Sequence, residues 1–170
     1  MTAIAPSAAE AVQYAGGWLF DQVMAGWDVT VVTADDADQR PLDILGVRAR
    51  HFDEIFAAPV LGPCLRAIAL RAELYDEDER VRRLVLAAVE GSRAEIRLWG
   101  QVWPADFDGS GDRVSHRLSL AARAFKAQAL AVAALPGSAG RAAGPAAETE
   151  DFRRGELRRP RLAVVGLQNA

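Results

Sequence analysis

The chain has few of the residues that build disulfides or zinc sites. Its single cysteine, Cys64, excludes an internal disulfide, and its two histidines, His51 and His116, are too few for a histidine-rich zinc site. No segment approaches the run of about 18 apolar residues that a membrane span requires. The first residues lack the basic and apolar regions of a secretory signal. These absences predict a cytoplasmic protein that does not enter a membrane.

What is present is the composition of a globular domain. Hydrophobic residues make up 51% of the 170 residues and charged residues 25%, which is enough for a full hydrophobic core. The basic residues number 20, and all but Lys126 are arginine. Because the formal net charge is only −3, no overall field attracts nucleic acid, and we do not expect a nucleic-acid partner.

The first third of the chain carries clear helix and strand signals. Ser7 and Glu10 form a capping box, in which Ser7 caps a helix and Glu10 reaches back to a second free amide. Gly16 and Gly17 fall in the middle of that helix, which indicates close packing against a neighbour. The β-branched run over residues 28–33 predicts a buried strand.

Helical and β-branched segments alternate through the rest of the chain. We expect a helix from Pro41 to Gly46, a weak strand over 47–52, a helix over 63–75, a helix over 76–91, a strand over 94–99 and a long helix over 114–135. The segment 63–75 also alternates as a strand would, but the helical spacing is favoured. This order predicts an α/β fold of three layers, with a short, mainly parallel sheet of about three or four strands flanked by helices.

Composition divides the chain into three parts. Residues 1–135 are expected to form a single α/β domain. Residues 136–161 are rich in glycine, alanine, proline and then charge, which predicts a flexible linker. The low-complexity tail ends in the short apolar stretch 162–170, which could add an edge strand to a sheet.

Aspartates follow two of the predicted strands. Asp35 and Asp36 come after the strand over 28–33, and Asp106 and Asp108 come after the strand over 94–99. If these strands run side by side in the same direction, their carboxyl ends bring the aspartates together, where they could hold Mg²⁺. The alternative is that these aspartates cap turns. No other cofactor is expected.

Two further groups of residues are candidates for binding. His116, Arg117, Arg123 and Lys126 lie on or near one basic stripe of the predicted long helix and could bind an anion, although such a stripe is more often a solvated helix face. Three tryptophans near strand ends could form an interface, or could simply pack in the core: Trp27, Trp99 and Trp103.

No nucleophile with a base, no histidine pair and no cofactor loop is visible, so no residue is assigned a catalytic role. The sequence therefore favours a non-catalytic interaction or regulatory protein that binds a protein partner or itself as a homo-oligomer. The alternative is a small Mg²⁺-dependent enzyme or phosphate-ligand-binding protein that uses the aspartates at the carboxyl edge of the sheet.

Overall fold

The computed structural model describes residues 1–35, 38–57, 65–92, 94–107, 111–134 and 147–156. The strands in these ranges are β1 (Thr2–Ala5), β2 (Thr30–Thr33), β3 (Arg48–His51), β4 (Ala67–Arg71), β5 (Glu95–Trp99), β6 (Asp112–Arg117) and β7 (Thr149–Gly155). The helices are α1 (Ala8–Met24), α2 (Arg40–Ile44), α3 (Phe52–Ala57), α4 (Ala72–Glu77), α5 (Glu79–Ser92) and α6 (Leu120–Ala133).

All of these strands join one sheet, in the order β3-β2-β1-β4-β5-β7-β6. The strands from β3 to β5 are parallel, whereas β7 is antiparallel to both of its neighbours. The α/β class is therefore confirmed. The expected number of three or four strands is wrong, because the described part of the chain forms a mixed sheet of seven.

Helices cover both faces of the sheet. Side chains alternate across each strand, so Ala3 and Ala5 pack with α1, α2 and α6 in one core cluster, while Ile4 packs with α4 and α5 in the other. Both clusters are buried and predominantly aliphatic, as expected for strands enclosed on two sides. The central parallel strands β2, β1 and β4 thus have no solvated face, and a ligand can reach them only at their ends, whereas the edge strand β3 exposes Arg48 and Arg50.

The predicted start of α1 is confirmed, since the Glu10 N–H donates to the Ser7 hydroxyl at 3.1 Å. The Glu10 side chain does not close the capping box, because it contacts Arg71 instead. Gly26 has a φ of +85° and ends the helix as expected. Among the helices in the described ranges, including α1 with its 17 residues, none is both long and apolar enough to cross a membrane.

Two strands at the centre of the sheet, β1 and β4, were not predicted from the sequence. β1 has only four residues before Pro6, yet it pairs with both β2 and β4. The helix expected over 63–75 is wrong, because β4 occupies Ala67–Arg71 and residues 68–70 are fully buried. The alternating pattern was the correct one at that position. Residues 58–64 lie outside the described part of the chain.

The two remaining strands, β6 and β7, pair antiparallel at one edge of the sheet, with α6 between them in the chain. Residues 112–117 form β6, so the long helix does not start near residue 114; α6 begins after Ser119, whose hydroxyl accepts the Ala122 N–H at 3.0 Å. β7 lies within the range expected to be a charged linker, and it hydrogen-bonds to β5 and β6. The apolar stretch 162–170 lies outside the described residues, and the division of the chain into domains stays a prediction.

Candidate functional site

The carboxyl ends of β1, β4 and β5 lie at one level of the sheet. The register pairs Ile4 of β1 with Leu70 of β4, and Arg71 of β4 with Trp99 of β5. The residues that follow these positions therefore share one edge, which is where open parallel sheets bind ligands.

Glu10 stands over this edge in the first turn of α1. Its carboxylate accepts a hydrogen bond from the Arg71 Nη1 at 3.1 Å, and its side chain is 20% exposed. Burial raises the pKa of Glu10, as does repulsion from Glu73, whereas Arg71 and the Trp99 indole lower it. Burial prevails, so the pKa of Glu10 lies above its ordinary value.

Glu73 approaches the same guanidinium from α4. Its carboxylate accepts hydrogen bonds from the Arg71 Nε at 3.1 Å and from the Gln101 N–H at 2.9 Å. Burial raises the pKa of Glu73, but the backbone hydrogen bond from Gln101 and the contact with Arg71 outweigh it, and the pKa lies below its ordinary value. The two carboxylates that share Arg71 therefore have pKa values shifted in opposite directions.

Gly100 lets Glu73 take this position. Its φ of +119° is a conformation that side chains disfavour. A Cβ atom at Gly100 would overlap the Glu73 carboxylate. The backbone after β5 is therefore shaped to receive the Glu73 carboxylate.

Trp99 places a buried indole N–H next to Glu10. The residue is 4% exposed, and its indole N–H lies close enough to Glu10 to favour the ionised carboxylate. No acceptor in the described part of the chain meets hydrogen-bond geometry with it.

The acidic loops do not meet at this edge. β1 and β4 lie between β2 and β5, so Asp35 and Asp106 are on opposite sides of the central strands. Asp106 accepts a hydrogen bond from the Tyr75 hydroxyl at 3.1 Å and pairs with Arg82. Burial and the Asp106 carboxylate raise the pKa of Tyr75 to about 12. Asp36 and Asp108 lie outside the described residues.

The candidates for anion binding are also separated from one another. The His116 Nε2 lies 2.8 Å from a carboxylate oxygen of Asp21, and Arg117 is exposed on β6. The Arg123 Nη1 contacts Glu148 at 3.3 Å. Lys126 is 3% exposed and faces the α1 side of the sheet, so it is not on a solvated stripe. An anion-binding role for these four residues stays a prediction.

The three tryptophans lie in different surroundings. Trp27 is 40% exposed and lines a cavity of about 460 Å³ with Asp28 and Arg66, at the end of the sheet opposite to the candidate site. Trp99 is buried, as described above. Trp103 is half-buried, and its ring centroid lies 5.6 Å from that of Phe107. Their role in an interface stays a prediction.

Solved deacetylases share this fold. A deacetylase described as the zinc-inhibited form of teicoplanin deacetylase has a TM-score of 0.65 at 16% identity, over 93% of this chain and 98% of that one. A triple mutant of a deacetylase of the teicoplanin biosynthetic pathway has a TM-score of 0.64 at 18% identity, over 93% and 98%. An A40926 pseudoaglycone deacetylase has a TM-score of 0.62 at 18% identity, over 92% and 96%. No protein-family model and no curated sequence matches the chain.

These comparisons correct the function expected from the sequence. The expectation of a non-catalytic interaction or regulatory protein is wrong, because the solved structures that share the fold are deacetylases. The Mg²⁺-dependent or phosphate-binding alternative is not supported either, since the sheet separates Asp35 from Asp106.

The described residues of the candidate site do not fit a bound metal ion. Zinc sites in proteins use three or four histidine, cysteine or carboxylate ligands. In the ranges that the structure describes, no group of three such side chains could hold a metal ion. At the candidate site, the group between the two carboxylates is a guanidinium, which is not a metal ligand.

Glu10, Arg71 and Glu73 were missed as a site by sequence reasoning. Glu10 was assigned only to a capping box, and Arg71 fell in a segment assigned to a helix. The signal that could have located them was the strand alternation over 67–71, together with recognition of Thr2–Ala5 as a strand. Both would have placed these polar residues at the carboxyl ends of parallel strands, since Arg71 ends β4 and Glu10 lies in the first turn of the helix that follows β1.

Proposed function

We propose that the protein is a hydrolase that removes an acyl group, acetyl in the simplest case, from a nitrogen atom. Glu10 is its acid–base residue and Arg71 its electrostatic contact. The observation that carries this proposal is the opposite shift of two carboxylate pKa values around one guanidinium, at the edge where such sheets bind ligands. Carboxylates whose surroundings separate their pKa values are typical of acid–base sites.

Glu10 has the properties of a group that moves a proton. Its raised pKa makes its carboxylate a better base than an exposed glutamate, and its 20% exposure leaves it accessible to water. In amide hydrolysis, a water oxygen bonds to the carbonyl carbon while Glu10 accepts a proton from that water. Glu10 then gives the proton to the nitrogen as the C–N bond breaks. The products are a carboxylic acid and an amine.

Arg71 is placed to stabilise the negative charge that forms on the carbonyl oxygen. Its side chain is 37% exposed, and its contacts to Glu10 and Glu73 use Nη1 and Nε. A guanidinium has five N–H donors, so donors remain for a substrate oxygen. Fixed donors of this kind contribute a factor of about 10²–10³ to turnover. The fold shared with solved deacetylases supports the proposed reaction class.

The test is the release of acetate from N-acetylated compounds. Teicoplanin, A40926 pseudoaglycone and simple N-acetylated amino sugars are incubated with the protein, and free acetate is measured by proton NMR. Glu10→Gln keeps the size of the side chain but removes the base, so acetate release should fall by about 10²–10⁴. Glu79→Gln is the matched control, because the Glu79 side chain is 82% exposed on α5. Equal loss in both variants would contradict the role of Glu10.

A further inference from the structure

The two half-buried carboxylates of the candidate site need a positive charge between them. Glu10 and Glu73 come from different helices, and their side chains are only 20% and 15% exposed. They are near enough for Glu73 to repel charge on Glu10. In many enzymes a metal ion fills such a position, because hard cations take carboxylate oxygens.

Here the positive charge belongs to the chain. The Arg71 Nη1 lies 3.1 Å from Glu10, and its Nε lies 3.1 Å from Glu73. A guanidinium stays protonated at all accessible pH values, so it cannot give way by losing its proton. A metal ion entering this space would have to displace a charged side chain that is held by two carboxylates.

The surroundings hold this arrangement in place. Glu73 is fixed by the Gln101 N–H and by the close approach at Gly100, and Glu10 is fixed in the first turn of α1. The buried Trp99 indole N–H, which has no acceptor in the described residues, also lies next to Glu10. A further N–H donor beside the carboxylate favours negative charge there and is of no use as a metal ligand.

We propose that the Arg71 guanidinium is the built-in cation of this site, and that divalent metal ions, zinc included, do not bind between Glu10 and Glu73 in the native protein. The inference rests on the proposed function for its catalytic meaning. Its physical content concerns only what occupies the space between the carboxylates, so it is tested without a substrate.

The experiment measures zinc binding by equilibrium dialysis with metal analysis, alongside the thermal midpoint Tm. Four proteins are compared: the wild type, Glu10→Gln, Arg71→His, and the double variant Glu10→Gln/Arg71→His. Arg71→His replaces the guanidinium by an imidazole between two carboxylates, which is a ligand set that zinc accepts. The comparison with Glu10→Gln separates this site from zinc held elsewhere, for example by Cys64.

The wild type should bind no zinc that depends on Glu10, so its zinc content and that of Glu10→Gln should be equal. Arg71→His should gain one zinc ion per chain, and at about 100 times the Kd its Tm should rise by about 5–10 °C. The double variant should lose this gain. Zinc in the wild type that disappears in Glu10→Gln would overturn the inference, as would a folded Arg71→His variant that binds none.

Failure of the proposed function would look different. If no acetate is released from any acylated compound while zinc binding follows the expected pattern, the hydrolase assignment falls and the built-in cation stands. If acetate release depends on Glu10 but the wild type binds zinc through Glu10, the built-in cation falls and the hydrolase assignment stands. Should Arg71→His not fold, the comparison of the wild type with Glu10→Gln still decides whether zinc binds.

Discussion

The Lys126 ammonium lies 2.5 Å from a carboxylate oxygen of Glu150, with the two side chains only 4% and 2% exposed. Lys126 also donates to the Gln13 carbonyl at 2.8 Å, and Glu150 accepts the Gly17 N–H at 2.9 Å. A regular helix would pair the Gln13 carbonyl with the Gly17 N–H. The buried ion pair thus hydrogen-bonds to backbone groups in the middle of α1. Because Lys126 lies on α6 and Glu150 on β7, the pair connects α1 to both elements.

Removal of one partner of the Lys126–Glu150 pair should destabilise the folded protein. Lys126→Met leaves the Glu150 charge buried without its cation, and we expect the free energy of unfolding to fall by about 3–5 kcal/mol. Urea denaturation measures this change. The double variant Lys126→Met/Glu150→Gln removes both charges, so it should be more stable than Lys126→Met alone. A double variant with the full sum of both single losses would refute the coupling.

Asp21 should make the free energy of unfolding depend on pH at the acidic end of the range. Burial raises the pKa of Asp21, but hydrogen bonds from Ser119 and His116 outweigh it and hold the pKa below the ordinary 3.8. A carboxyl with a lowered pKa stabilises the folded state above its unfolded pKa, and this contribution is lost as the pH falls through the folded pKa.

The check for this is Asp21→Asn, which keeps the shape but removes the charge. At pH 7 the variant should be less stable by about 1 kcal/mol, the difference between a charged and a neutral hydrogen bond. The difference should begin to shrink as the pH falls to about 3.8 and should disappear below the lowered folded pKa. Denaturation midpoints measured from pH 7 to pH 3 give the answer, and a constant difference across that range would argue against the account.

Gly17 should resist substitution although alanine favours helices. A Cβ atom at Gly17 would overlap the Leu118 side chain, which is 5% exposed. Overpacking costs about 1–3 kcal/mol, against about 1 kcal/mol gained in helix propensity. Gly17→Ala should therefore lower Tm.

Gly16→Ala is the matched control for that substitution. A Cβ atom there would lie 3.2 Å from the Val12 Cγ1, which is tight but not an overlap. We expect a smaller loss of Tm than for Gly17→Ala. The opposite order in thermal denaturation would mean that Leu118 does not limit the space beside α1.

Features with strong local signals could be predicted from the sequence. The cap at Ser7 and the β-branched run of β2 depend on neighbours within a few residues, and the structure confirms both. Close packing at Gly17 is also confirmed, although its partner Leu118 is distant in the chain and could not be named from the sequence. The α/β class follows from the same local signals.

The order of strands could not be predicted, because it depends on contacts between distant segments. The chain passes from β1 to β3 on one side and returns to place β4 on the other side of β1. This order separates Asp35 from Asp106. It also gives β1, a strand of only four residues, a central place next to the candidate site, so the proposed role of Glu10 was not visible from its local pattern.

The pH dependence of kcat/KM for acetate release tests the central claim most directly, because it reports the ionisation of the free enzyme. In the proposed mechanism ionised Glu10 is the active form. Because the pKa of Glu10 is raised, the wild-type rate should fall with decreasing pH at a midpoint above 4.5. The residual rate of Glu10→Gln should lack this fall. A midpoint at or below 4.5, or the same fall in Glu10→Gln, would contradict the assignment of Glu10 as the acid–base residue.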